Sequence, residues 1–253
     1  HTRSLCDWSS DVCSSDLEAS GLLFEIKQML EQSKSLYTEA RYGSLLLNLS
    51  NNALHLREYE LSNSYVAEAT RYFQDAINLS IAKEIQFYVS FYSGQFEQAS
   101  RLSEELIRLP NVLNTPFLTG KWHYLNACVS FTRNSFKETL DSLGYTRKIE
   151  LDKEGWNFYR RILMIMARIE MQDSESIDLS IQNLDKFMKR LLKSRNVRPR
   201  LILIVRILRK LINENFNYIK VFESRKKYFD LLSSEEEGYR WEIKSPELII
   251  FQE

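Results

Sequence analysis

Residues 81–110 read IAKEIQFYVSFYSGQFEQASRLSEELIRLP, and this stretch decides the fold class. Apolar residues recur every three or four positions on both sides of a Ser-Gly-Gln turn at residues 93–95. That spacing places them on one stripe of an α-helix, so the stretch predicts two helices joined by a short turn. Pro110 marks the end of the second helix, because proline cannot continue one.

The same helical spacing covers most of the chain. With 7 Gly and 4 Pro in 253 residues, the composition counts against a turn-rich β architecture. We therefore expect an all-α fold. The predicted helices lie at roughly 18–33, 38–57, 60–75, 77–93, 96–108, 116–133, 136–149, 154–171, 175–195, 199–213 and 216–232.

The helix junctions repeat. A short polar turn is followed by a bulky residue at intervals of 37, 40, 41 and 39 residues, at Tyr59, Phe96, Phe136, Ile177 and Phe216. Three positions later come Ser62, Ala99, Thr139, Ser180 and Ile219, of which four are small. A small side chain lets two helices of a hairpin approach closely, while the bulky residue fills the groove between them. A repeat of this period indicates a solenoid.

The best copy resembles a tetratricopeptide repeat. The residues that carry the resemblance are Tyr88, Phe91, Gly94, Phe96, Ala99, Leu102, Leu106 and Pro110. Over residues 38–232 it implies a right-handed α-solenoid, or superhelix, of about five antiparallel helix pairs. The other copies lack the family's Trp and most of its Gly positions, and an armadillo- or HEAT-like array is the alternative.

Residues 1–17 need separate treatment. Residues 6–17, CDWSSDVCSSDL, resemble the translation of a sequencing-library adapter, and the chain opens on His1. We expect residues 1–17 to be an artefactual, non-native segment, with the true N-terminus lying upstream. Cys128 is then the one native cysteine, and a single thiol cannot form an intrachain disulfide.

The remaining chain divides into two parts. We expect residues 18–232 to form the repeat domain. In residues 233–253 the helical period stops, although residues 248–251 are apolar. We expect this non-helical tail to dock as a cap on the last helix pair, since a solenoid must cover its ends.

One set of residues is a candidate peptide-binding surface. The resemblance implies that the first helix of each pair lines the concave face, which places Glu84, Tyr88 and Tyr92 there, followed by Lys121 and Tyr124. Tyrosines offer rigid contact area with a hydroxyl, and a lysine can pair with a carboxylate. The alternative is that these aromatic residues pack between helices.

A second candidate surface is basic. Ten basic and no acidic residues lie between Lys186 and Lys210, and Lys186, Lys189, Arg190 and Lys193 fall on one helix face, the basic stripe. Such a stripe can contact nucleic-acid phosphates or an acidic protein. The balanced charge of the chain, Lys+Arg 34 against Asp+Glu 34, and the lack of interleaved aromatic residues favour a solvated face instead.

No pattern typical of an active site occurs. His55 and His123 are the histidines beyond residue 17, and neither has a partner at metal-ligand spacing. Cys128 lies mid-helix between Ala127 and Val129, so we expect a buried, inert thiol. There is no Gly-rich phosphate loop. We expect no enzyme activity, no metal and no cofactor.

The leading hypothesis is a non-enzymatic scaffold or adaptor, bacterial and cytoplasmic, that binds a protein or peptide. The longest aliphatic run, at residues 201–205, is far short of the ~20 residues that span a bilayer, so we expect no membrane segment. The first alternative is the peptide-sensing half of a transcription regulator whose DNA-binding domain is lost at a truncated N-terminus. A nucleic-acid binder that uses the basic stripe and an α-helical enzyme are further alternatives.

Overall fold

The computed structural model describes residues 10–145, 148–152, 155–194 and 197–252. Residues 1–9 of the predicted non-native segment 1–17 lie outside this range, as does Arg195, one of the ten basic residues between Lys186 and Lys210. Over the described residues the chain is all-α, with thirteen α-helices and no strand. The predicted all-α class is confirmed.

The helix bounds follow the predicted ones closely. In chain order the helices are α1 Ser10–Gln32, α2 Glu39–His55, α3 Tyr59–Ala69, α4 Ala76–Tyr92, α5 Phe96–Ile107, α6 Pro110–Leu113, α7 Pro116–Thr132, α8 Phe136–Tyr145, α9 Trp156–Glu170, α10 Ser174–Ser194, α11 Pro199–Asn213, α12 Tyr218–Ser224 and α13 Lys226–Leu232. Four differences stand out. α1 begins at Ser10 and not at 18, inside the segment predicted to be non-native, and α3 ends at Ala69 and not at 75. The helix predicted at 216–232 is divided at Arg225, and Pro110 starts the short α6, because its fixed φ suits the first position of a helix.

Side chains at the helix starts explain several of these bounds. Thr38, Asp75 and Asn217 each precede a helix and accept a hydrogen bond from the N–H three residues on, at 3.2, 2.8 and 3.0 Å. These bonds satisfy amide groups that have no partner within the helix. The same contacts, made by the N–H and the side chain of Asn78, hold the pKa of Asp75 below its usual value.

The chain forms two compact units, and the boundary falls inside α7, between Trp122 and His123. In the first unit each helix packs on the next, from α1 to α5, and α2 also contacts α4. In the second unit α8 packs on α9, α9 on α10, and α11 on both α12 and α13. Packing between sequence neighbours is typical of helical repeats.

Five helix junctions share one backbone geometry. A residue with φ between +51° and +76° ends the first helix at Arg57, Gly94, Asn134, Gln172 and Asn215. At each junction the next N–H donates to the carbonyl five residues back, as from Gln95 to Ser90 at 2.8 Å and from Ser135 to Ser130 at 2.9 Å. This is the Schellman motif, which satisfies carbonyls at the helix end. The left-handed residues lie 37, 40, 38 and 43 positions apart.

This geometry corrects the predicted register of the fourth copy. Counted from the left-handed residue, Ile177 occupies the place of Ser62, Ala99 and Thr139, and all four are buried. The predicted match of Ile177 with Phe96 is therefore wrong by three positions, because the spacing of bulky side chains does not follow the turn here. In the fifth copy the same count leads to Lys220, one position after the predicted Ile219, and Ile219 is 70% exposed.

The small residues at the first three junctions pack between the helices as predicted, whereas the bulky residues fill less of the space between the helices than predicted. The Ser50 and Ser62 hydroxyls each donate to the other residue's carbonyl at 2.7 Å, joining α2 to α3. Phe96 is half-buried, with its ring edge-to-face against Phe91 at 5.6 Å. Phe136 makes the same contact with Phe131 at 5.4 Å. These rings support the turn without filling a core.

None of the helices within the described ranges combines the length and the apolar character needed to cross a membrane.

Gly43 tests the packing of α2. A Cβ at this position would lie 2.8 Å from Phe73 Cζ and 2.9 Å from Tyr72 Cβ, and the second atom cannot move without its backbone. We expect Gly43→Ala to lower the free energy of unfolding by about 1–3 kcal/mol because of this overpacking. The loss is expected even though alanine has a higher helix propensity than glycine. Gly21→Ala in α1 is the control, because nothing lies within 4 Å of that position. Urea denaturation measures the free energy of unfolding of both variants. Equal changes in the two would contradict the close packing of Gly43 against Tyr72 and Phe73.

Candidate functional site

The C-terminal segment, residues 233–252, has no helix and packs against the helices of the second unit, to which it belongs. Tyr124 of α7 donates its hydroxyl to the Pro246 carbonyl at 2.6 Å, and Trp241 Nε1 donates to the Glu247 carbonyl at 2.7 Å. Glu247 and Leu248 are buried. The segment is therefore held by polar contacts as well as by apolar ones.

A buried ion pair lies beneath this segment. Arg200, in the first turn of α11, donates from Nε to Glu247 Oε2 at 2.6 Å and from Nη2 to Oε1 at 2.7 Å. Their side chains are 2% and 3% exposed. Arginine matches a carboxylate well in this two-point geometry, which gives strong, directional hydrogen bonds.

The other polar atoms of the pair are also used. Arg200 Nη1 donates to the carbonyls of Leu232 and Tyr239 at 2.7 and 2.6 Å, and Nη2 donates to Gln252 Oε1 at 2.8 Å. The carboxylate of Glu247 accepts from the Tyr159 hydroxyl at 3.1 Å. Burial first, and then the charge of Glu247, raise the pKa of Tyr159 well above its usual value. Tyr159 therefore stays a hydrogen-bond donor at neutral pH.

The sequence pattern does not reveal this pair. Arg200 falls among ten basic residues for which a solvated face is the favoured prediction, and Glu247 falls in the predicted tail. One signal was present, because Arg200, Ile204 and Leu208 follow at four-residue spacing and lie on the buried stripe of α11. An arginine on such a stripe requires a buried acceptor. The identity of its partner, 47 residues later, is not visible in the sequence.

Two of the predicted peptide-binding residues meet in the first unit. Lys121 Nζ of α7 lies 2.8 Å from Glu84 Oε1 of α4, with side chains 12% and 24% exposed. The ammonium group also lies 5.7 Å from the centre of the Trp122 ring. The ion pair is thus partly shielded from water and joins the first helices of two successive pairs.

The predicted tyrosines are more deeply placed than a contact surface requires. Tyr88 is 1% exposed, and its ring stacks on the half-buried Tyr92 at 6.2 Å. Tyr124, in the second unit, is 3% exposed and is engaged by Pro246. Tyr92 therefore offers the accessible ring of the three, and the peptide-binding role of the set stays a prediction.

Eight of the ten basic residues between Lys186 and Lys210 fall into two groups. Four of them pair with carboxylates: Arg198 with Glu242, Arg200 with Glu247, Arg209 with Asp185 and Lys210 with Glu214. The basic stripe on α10, formed by Lys186, Lys189, Arg190 and Lys193, is exposed to solvent. Arg190 Nε donates to the Lys186 carbonyl at 3.3 Å.

The residues with nucleophilic or metal-binding groups are dispersed. Cys128 is buried, and that burial raises the pKa of its thiol to about 12. His123 stacks on Tyr145 at 3.8 Å, and burial lowers its pKa. Within the part of the chain that the structure describes, no three His, Cys, Asp or Glu side chains are grouped to hold a metal ion.

No protein-family model matches the chain, and no curated protein matches it. The interpretation of these surfaces therefore depends on the contacts themselves.

Removing one partner of the buried pair should be strongly destabilising. Arg200→Met leaves the Glu247 carboxylate buried without its counterion, and we expect a loss of about 3–5 kcal/mol in the free energy of unfolding. The double variant Arg200→Met with Glu247→Met should lose less free energy of unfolding than the sum of the losses in the two single variants, because neither charge is left buried alone. Lys226→Ala, which breaks an exposed pair with Asp230, is the control and should cost under about 1 kcal/mol. Additive losses in the double variant would contradict a coupled pair.

Cys128 should resist alkylation in the folded protein. A pKa of about 12 keeps the thiol protonated at pH 8, and only the thiolate reacts. We expect iodoacetamide to modify Cys128 in urea and not in native buffer, as measured by peptide mapping. Leu179→Cys, at a position 58% exposed on α10, supplies a reactive reference thiol. Native modification of Cys128 at the reference rate would show that the site opens readily.

Proposed function

We propose that this chain is a non-enzymatic interaction module of the tetratricopeptide-like kind, which binds a protein or peptide on the first helices of its repeats. The observation that carries the proposal is the helix junction that recurs five times with the same left-handed residue and the same hydrogen bonds. Repeated helix pairs of this length stack into extended surfaces suited to binding. A right-handed superhelix of about five pairs is part of this proposal.

The proposed contact point is the Glu84–Lys121 pair. The two residues come from the first helices of successive pairs, and both side chains are partly accessible. Without a bound peptide, the Glu84 carboxylate and the Lys121 ammonium group form an ion pair with each other. A carboxylate on a bound peptide can replace Glu84 on Lys121, which keeps the lysine paired in both states and favours acidic sequences.

Tyr92 extends the contact point along α4. Glu84, Tyr88 and Tyr92 follow at four-residue spacing, so they lie on one side of the helix. The span from Glu84 to Tyr92 is about 12 Å, enough for three or four residues of an extended peptide. Tyr88 is a positioning residue here, because its buried ring stacks beneath Tyr92.

Selection from a random peptide library displayed on phage tests the proposal. We expect the wild-type chain to enrich peptides with an acidic residue beside an apolar one, because they match Lys121 and Tyr92. Lys121→Glu should lose these peptides, and the exchanged variant Lys121→Glu with Glu84→Lys should enrich them again. Lys189→Glu on the basic stripe is the matched control. Equal enrichment by wild type and Lys121→Glu would refute the proposed contact point.

A further inference from the structure

A cleft in the second unit is lined in part by the buried Arg200–Glu247 pair. Its volume is about 150 Å³, and it is bordered by the start of α9, the end of α10, the start of α11 and the C-terminal segment. The volume corresponds to roughly five water molecules, so the cleft suits a group of about five to ten non-hydrogen atoms. A folded domain or a nucleic acid could place only one side group there.

The walls of the cleft are mixed in character. Leu191, Val197 and Leu201 provide aliphatic surface, and the Tyr159 and Trp241 rings provide aromatic surface. Small-molecule sites commonly combine such apolar walls with a few fixed polar groups. The walls therefore favour a ligand with an apolar body.

The rim of the cleft has more positive than negative charge. Arg198 Nη2 and Arg240 Nε lie 3.1 and 3.6 Å from the same oxygen of Glu242. Below them, Arg200 and Glu247 neutralise each other and bind in two-point geometry. The lining thus holds three arginines and two glutamates, and one positive charge is left over. A bound anion would neutralise this remaining positive charge.

Ser245 supplies an independent indication. Its side chain lines the cleft, and its Oγ is buried without a hydrogen-bond partner among the described residues. Buried hydroxyl groups in folded proteins are nearly always hydrogen-bonded, so this atom is suited to a bond with a ligand. The Ser245 N–H is already used, since it donates to the Glu242 carbonyl at 3.1 Å.

We propose that this cleft binds a small organic carboxylate with an apolar or aromatic body. The carboxylate would pair with Arg198 and Arg240 and accept a hydrogen bond from Ser245, while the body packs against Trp241 and Leu201. An arginine gives a carboxylate two parallel hydrogen bonds, which a neutral amide cannot reproduce. This site belongs to the second unit and the contact point proposed above to the first, and neither proposal depends on the other.

Calorimetric titration of the full chain with benzoate, phenylacetate and hexanoate tests this inference, with benzamide as the neutral counterpart and inorganic phosphate as the anion without a body. We expect saturable binding of at least one carboxylate, with benzamide and phosphate weaker by about tenfold or more. Quenching of tryptophan fluorescence that disappears in Trp241→Phe would locate the ligand in the cleft.

Two matched arginine variants decide the site. Arg198→Gln removes a rim charge whose side chain is 45% exposed, and we expect it to weaken carboxylate binding by about tenfold or more while the chain stays folded. Arg206→Gln changes an exposed arginine on the same helix outside the cleft and should leave binding unchanged. Absence of saturable binding up to millimolar concentrations, equal binding of phosphate, or equal losses in both variants would overturn the proposal.

Discussion

The ion pair between Arg200 and Glu247 is the constraint on which the second unit depends. Hydrogen bonds from these two side chains reach α9 through Tyr159, the end of α13 through Leu232, and the C-terminal segment through Tyr239. Two charges held away from water are stable only while every one of these partners is in place. Four separate parts of the chain, α9, α11, α13 and the C-terminal segment, are therefore fixed relative to one another by a single pair of residues.

The helix junctions obey a different and more local rule. Each turn is built from hydrogen bonds that span five residues, around one residue in the left-handed conformation. Gly94 adopts it without strain, and Asn134 and Asn215 accept it better than most residues. Because the motif is complete within itself, the junctions can recur along the chain whether or not the distant ion pair forms. The junction hydrogen bonds therefore stabilise neighbouring helices, whereas the ion pair joins segments that are distant in the sequence.

This difference explains what the sequence could reveal. The period of apolar residues predicted nearly all of the helices, since helix formation and burial of one face are local properties of the pattern. The first three junctions were also aligned correctly, because Ser62, Ala99 and Thr139 are both small and buried. The fourth was misplaced because Ile177 is bulky where its counterparts are small. The pairing of Arg200 with Glu247 joins two patterns that look unrelated, an amphipathic helix and an aperiodic tail, and no local rule connects them.

The separation of the pair along the chain has a consequence for biosynthesis. Arg200 is made 47 residues before Glu247, and ribosomes add about 5–20 residues per second, so the delay is roughly 2–10 s. During that interval the guanidinium group has no carboxylate with which to enter the interior. The apolar faces beneath the C-terminal segment also stay uncovered until that segment has been made, so this half of the molecule is completed only by the last residues synthesised.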